Sequence, residues 1–158
     1  LPLATGVAVA DALSLFGFDA KLKWPNDVHL EGRKVAGILA EGRPAEGWAV
    51  IGVGINVAVD LNELPAELHA TAATLGLAPE SVDDVLTSLL AAMELRYSQS
   101  DGPILDAFRQ RDALLGKQIS WSGGVGVGSG IDGTGRLIVD CDGVRNLLDS
   151  GEVHLGSI

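Results

Sequence analysis

Lys23-Trp24-Pro25-Asn26-Asp27-Val28, then Gly32-Arg33-Lys34-Val35-Ala36-Gly37-Ile38-Leu39, then Ile51-Gly52-Val53-Gly54-Ile55-Asn56-Val57 decide the reading of this chain, because each sets polar groups into an otherwise apolar, β-prone run. Around them Ala20 to Trp24, Val28 to Leu30, Lys34 to Glu41 and Trp48 to Val57 read as a meander of strands, punctuated by Pro25-Asn26-Asp27, Glu31-Gly32 and Arg43-Pro44. The Trp48 to Val57 run is apolar on both faces, which predicts a central strand covered on both sides by helices. Upstream, Leu3, Val7, Ala10, Leu13 and Phe16 repeat at helical spacing and Gly17 supplies the stop. Downstream, Glu67 to Leu75 predicts a short helix. Ser81, with Asp83 and Asp84 behind it, predicts the N-terminus of a long helix reaching Tyr97, and Asp101-Gly102-Pro103 opens another over Ile104 to Leu115.

From Gly116 the helical period vanishes. Gln118 to Ser122, Val125 to Ile131, Arg136 to Asp140, Val144 to Leu148 and Val153 to Leu155 give five short strands joined by Asp132-Gly133-Thr134-Gly135 and Asp142-Gly143 turns, the pattern of a small all-β barrel. An α+β part over residues 1–114 and a β unit over 115–158 are therefore expected.

Composition narrows the function classes. With 47% apolar and 20% charged residues the chain is globular rather than disordered. No run approaches the roughly 20 apolar residues of a membrane span. Leu1 to Ala10 is apolar but lacks a basic leader and is followed by Asp11, so it is not read as a signal peptide, and a cytoplasmic protein is expected. Because Leu1 opens directly on periodic sequence, the chain is expected to begin within a domain. The net charge of −10, with no basic stripe, argues against nucleic-acid binding by this segment. Cys141 is the single cysteine, which rules out an internal disulfide.

Pro25 fixes its own φ and biases Trp24 toward extended geometry, so Lys23, Asn26 and Asp27 leave the strand end in a defined direction. Asn26 offers donors and an acceptor, and Asp27 a carboxylate suited to Mg²⁺ or to a lysine; read alone, Pro-Asn-Asp is equally an ordinary turn. Lys34 heads an apolar strand and Gly37 leaves a gap in the side-chain layer, an arrangement able to meet a phosphate or carboxylate, although an isolated Arg-Lys pair is more commonly a solvated hairpin. Gly52 and Gly54 share one strand face that Asn56 continues, forming a shelf for a planar ring or, alternatively, a close strand-on-helix contact. A dinucleotide fingerprint is excluded, since the third glycine and the following helix are missing. His29, His69 and His154 lie far apart in sequence and read as surface or turn residues. Ser14, Ser81 and Ser88 lack a nucleophile-elbow context, and the tryptophans read as core.

In this order, Lys-Trp-Pro-Asn-Asp, Gly-Arg-Lys-Val-Ala-Gly-Ile-Leu and Gly-Val-Gly-Ile-Asn-Val resemble the biotin protein ligase family, and Leu115-Gly116-Lys117 together with Gly130 to Val153 resemble its SH3-like C-terminal domain. The resemblance implies an α+β fold: part of a mixed sheet with helices, similar to class II aminoacyl-tRNA synthetases, followed by an SH3-like barrel. It implies a ligase that makes biotinyl-AMP from biotin and MgATP and passes biotin to a lysine of a biotin carboxyl carrier protein domain. By the same resemblance Lys34 and Lys23 are the catalytic cations, and Lys34 also contacts biotin. Gly37, Asn26, Gly54 and Asn56 bind substrate, and Asp27 orients the metal. A homodimer is compatible with it. The family's glycine- and arginine-rich biotin loop lies upstream of the matched part, so this polypeptide alone is expected to be weak or inactive. The alternatives are a noncatalytic interaction module using the small barrel and a relative of the lipoate ligases.

Overall fold

A computed structural model describes residues 1–156. Helix α1 (Pro2–Ser14) starts on a proline at its first turn and is buried almost all round, which its small residues allow. It ends where the spacing predicts. Gly17 adopts φ +86°, and Phe18 N–H reaches back to Leu13 O at 3.2 Å, a closure that favours glycine at that position.

Strands β1 (Lys21–Lys23), β2 (Asp27–Leu30), β3 (Arg33–Arg43) and β4 (Trp48–Ile55) form an antiparallel sheet in that order. Ala36 and Ile38, paired with Ile55 and Val53, face the core beneath α1. The opposite face carries Gly37 against Gly54 and Leu39 against Gly52. The expectation of a central Trp48–Val57 strand covered on both sides is overturned: β4 is an edge of this sheet, and Trp48 and Val50 are 46% and 62% exposed. Its apolar look comes from an inner row of Ile51, Val53 and Ile55 and an outer row of Trp48, Val50, Gly52 and Gly54, so one face packs and the other stays bare.

The helix expected over Glu67 to Leu75 is absent. Two 3-10 turns, Leu61–Glu63 and Ala66–Leu68, are followed by extended chain. Lys34 N–H donates to Thr71 O and Ala73 N–H to Lys34 O, both at 2.7 Å, and Leu75 N–H donates to Asn56 O. The free backbone groups at the start of β3 and end of β4 thus capture a segment whose β-branched Thr71 and Thr74 suit extended chain. Helix α2 (Val82–Tyr97) follows Ser81 as expected. Helix α3 (Asp101–Arg109) stops short of Leu115, because residues 111–113 pair with β1: Leu22 N–H donates to Arg111 O at 2.7 Å, and Ala113 N–H to Leu22 O at 2.9 Å.

The tail forms β5 (Gln118–Trp121), β6 (Gly124–Ile131), β7 (Leu137–Cys141), β8 (Val144–Leu148) and β9 (His154–Leu155), ordered β8-β7-β6-β5-β9. Asp142 and Gly143 both take positive φ, as a two-residue hairpin turn requires. Among the described residues β8 and β9 do not pair, so the sheet is SH3-like but open rather than a closed barrel. Its inner residues Ile119, Ile131, Leu137 and Val139 join the same apolar cluster as α1 and the first sheet. Trp24, 2% exposed, donates its indole N–H across to Gly135 O at 3.0 Å. No described helix is long and apolar enough to cross a membrane.

Candidate active site

Asp27 opens β2, and β-pairing sets it opposite Lys23 on one side and Gly37 on the other. Its carboxylate gathers both lysines of the sequence motifs: Lys23 Nζ stands 3.2 Å from Oδ2 and Lys34 Nζ 2.5 Å from Oδ1. Asp27 and Lys23 are mostly buried, while Lys34 is half exposed, so its ammonium is both held and reachable. Burial pushes the Asp27 carboxyl up, but the Lys34 hydrogen bond and the charge of Lys23 outweigh it and hold the group below its ordinary 3.8. The cluster carries two positive charges against one negative, a local cationic spot on an acidic chain, suited to neutralising an oxyanion.

Gly37 supplies the floor beside it. A Cβ there would lie 3.0 Å from Lys34 Cε and 3.1 Å from Nζ, so the missing side chain is what lets the lysine lie flat over the sheet. Across the pair, a Cβ on Gly54 would meet nothing within 4 Å, leaving an open shelf. Lys23, Asp27, Lys34, Gly37, Gly54 and Asn56 line one cavity of about 670 Å³, walled on its apolar side by Val35, Ile55, Leu64 and Leu68. Asn26 faces two adjoining clefts on the far side of Lys34, one of them running over Gly37, Gly52 and Gly54. Its amide donates to Ile38 O at 2.8 Å, and Ile38 N–H returns a bond to Asn26 O, which locks the Pro25-Asn26 corner onto β3. Asn56 donates its amide hydrogen to Ala73 O at 2.8 Å and thereby holds the 71–73 segment as a cavity wall.

For a resident metal the donor set is poor. Among the described residues no three His, Cys, Asp or Glu side chains gather, and both Asp27 oxygens already face ammonium groups.

Three contributors escape the sequence reading. His29, read there as a surface or turn residue, is 8% exposed and lines the cavity, with Nδ1 3.1 Å from Gly32 O. Burial and the neighbouring charge of Lys23 lower its pKa below 6.5. Its two-residue spacing from Asp27 on one strand is the signal that could have placed it there. The 64–72 segment and the tail residues Gly151 to Leu155, including His154, also border these cavities, and no local sequence pattern marks them.

Fold and site together define an α+β protein built as the biotin protein ligases are: the apo biotin protein ligase of Aquifex aeolicus superposes with a TM-score of 0.87 at 27% identity, over 99% of this chain and 74% of that one. The same enzyme in complex with biotin and ATP gives 0.84 at 26% identity, over 98% and 70%. The profile of the Biotin/lipoate A/B protein ligase family matches residues 3–60. The biotin–[acetyl-CoA-carboxylase] ligase of Paracoccus denitrificans is 35% identical over 99% of this chain and 72% of its own length. The chain belongs to this family, on its biotin protein ligase side. The Mycobacterium tuberculosis ligase is 36% identical over 98% of the chain, and the bifunctional ligase/repressor BirA of Escherichia coli 32% over 99%. The chain spans 62% and 53% of the lengths of these two relatives.

Proposed function

We infer that this chain carries the cationic half of a site that joins biotin to ATP as biotinyl-5'-AMP and then passes biotin to a lysine of a carboxylase carrier domain, in the cytoplasm. The observation that carries the reading is the convergence of Lys23 and Lys34 on Asp27 above a glycine floor. In the first step a carboxylate oxygen attacks the α-phosphate and pyrophosphate leaves; negative charge grows on the phosphoryl oxygens while two anions are forced together. Lys34, held but half exposed, meets that charge, and Lys23 supports it from the more buried side. Asp27 keeps the two ammonium groups from repelling one another out of place. Mg²⁺, carried by ATP, screens the polyphosphate. Gly37 and Gly54 let a flat ring or an acyl chain lie against backbone, Asn26 fixes the corner bearing Lys23 and Asp27, and Asn56 holds the wall beside the nucleotide. A boundary near residues 114 and 115 separates the catalytic part from the SH3-like tail in this reading.

The test is biotin transfer. A purified protein carrying this chain, given biotin, MgATP and a carrier domain, is expected to add one biotinyl group to one carrier lysine, read by intact mass, and Lys34→Ala is expected to abolish it. Transfer that proceeds without ATP, or at an unchanged rate in Lys34→Ala, overturns the reading.

A further inference from the structure

His29 has no task in the reaction just described, although it lines the same cavity as Asp27. The β1–β2 register is unbroken, so His29, two residues from Asp27, keeps Asp27's face of the sheet, while the extra residue Val35 on β3 brings Lys34 opposite the histidine. Its Nδ1 lies 3.1 Å from Gly32 O, and a carbonyl can only accept, so Nδ1 carries the ring hydrogen and Nε2 is a bare acceptor. Nε2 has no hydrogen-bond partner among the described residues, yet the one sealed-off polar side-chain atom lacking a partner is Asp112 Oδ2. Nε2 is therefore not a sealed-off atom, and its ring borders the cavity.

The surroundings say what that atom can take. Lys23 and Lys34 only donate, and both Asp27 oxygens are engaged by them. At this end of the cavity a ligand finds donors for its oxygens and, in His29, a side-chain acceptor for an N–H. The reacting linkage of the mixed anhydride, an acyl carbonyl joined to a phosphoryl group, carries only oxygens. The group that must bring an N–H to the same place is the amine that attacks it. Resting on the ligase reading above, we propose that His29 Nε2 accepts an N–H of the incoming carrier lysine and aims its nitrogen lone pair at the acyl carbon. The carrier ammonium gives a proton to water before docking. The nitrogen then forms the C–N bond, the C–O bond to AMP breaks with its electron pair leaving on the phosphate, and the surplus proton on nitrogen passes to solvent. His29 orients the nucleophile and takes no proton.

Single-turnover transfer from preformed biotinyl-AMP to saturating carrier domain, measured beside biotinyl-AMP affinity, tests this. His29→Phe keeps a ring without the acceptor and is expected to slow transfer about tenfold, the scale of one lost hydrogen bond, with adenylate affinity within about threefold. His29→Gln, whose amide can serve both Gly32 O and the amine, is expected to recover the rate to within about threefold of wild type. The proposal is overturned if His29→Phe transfers at the wild-type rate, if His29→Gln is as slow as His29→Phe, or if adenylate affinity falls in step with transfer. A wild-type protein that fails to bind biotinyl-AMP overturns the ligase reading itself and this proposal with it, an outcome distinct from tight binding with an indifferent His29.

Discussion

Replacing Gly37 by alanine should separate ligand binding from folding. The added Cβ would stand 3.0 Å from Lys34 Cε, 3.1 Å from its Nζ and 3.8 Å from Asp27 Oδ1, whereas ordinary contact begins near 3.4 Å. Lys34 must then move by a few tenths of an ångström, and being half exposed it can do so without disturbing the core. Gly37 does not sit at positive φ, so alanine brings no backbone strain, and restricting the unfolded chain tends to stabilise by up to about 1 kcal/mol. The melting temperature is therefore expected to stay within about 4 °C of wild type. Ligand affinity should not survive as well: the ammonium is displaced and the floor raised, and since about 1 Å of misplacement can cost 10²-fold, roughly tenfold is expected here. Thermal melts and calorimetric titration of a biotinyl-AMP analogue on the same samples measure the two effects. Unchanged affinity, or a loss of more than about 10 °C in Tm, would refute the reasoning. Gly54→Ala is the companion, since its Cβ meets nothing in the chain and should weaken binding alone.

Asp27→Asn is expected to cost about 2 kcal/mol at neutral pH by leaving two ammonium groups without their counter-charge. Because the folded carboxyl titrates below 3.8, its contribution is present above that pH and fades as pH falls through the lower folded value, so urea unfolding should show the two proteins converging in acid. Asp112 runs the other way: burial lifts its pKa above 3.8 against the opposing bonds from Leu114 and Leu115 N–H, so its favourable contribution exists in acid and is lost as pH rises through the raised value. Asp112→Asn should accordingly gain stability relative to wild type on going from pH 3 to pH 7, and a constant difference would count against it. Trp24→Phe removes the indole bond to Gly135 O from a buried site and should cost about 1–2 kcal/mol, seen as a drop of a few degrees in Tm.

What could be read from the residues was local chemistry and order. Gly17 as a helix stop and Asp142-Gly143 as a tight turn are positions where backbone geometry admits few residue types. The convergence of Lys23 and Lys34 followed from motif order, which a family shares. Long-range capture was not legible: the 71–73 segment looks helical by composition until the unpaired backbone of Lys34 claims it, and α3 ends early because Leu22 needs a partner at residues 111–113. Exposure misled at Trp48 and Val50, which look like core in sequence and stand on an open edge. His29 was overlooked although its alternation with Asp27 was legible, because a lone histidine in a short strand carries no motif that marks the cavity it borders.

The most direct test is calorimetry of a protein carrying this chain with a non-hydrolysable sulfamoyl analogue of biotinyl-AMP, wild type beside Lys23→Ala and Lys34→Ala. Saturable one-to-one binding that weakens at least about tenfold in each variant is the predicted result, the loss of a charge-assisted hydrogen bond. Equal affinity in all three proteins would contradict the claim that the two ammonium groups meet one ligand.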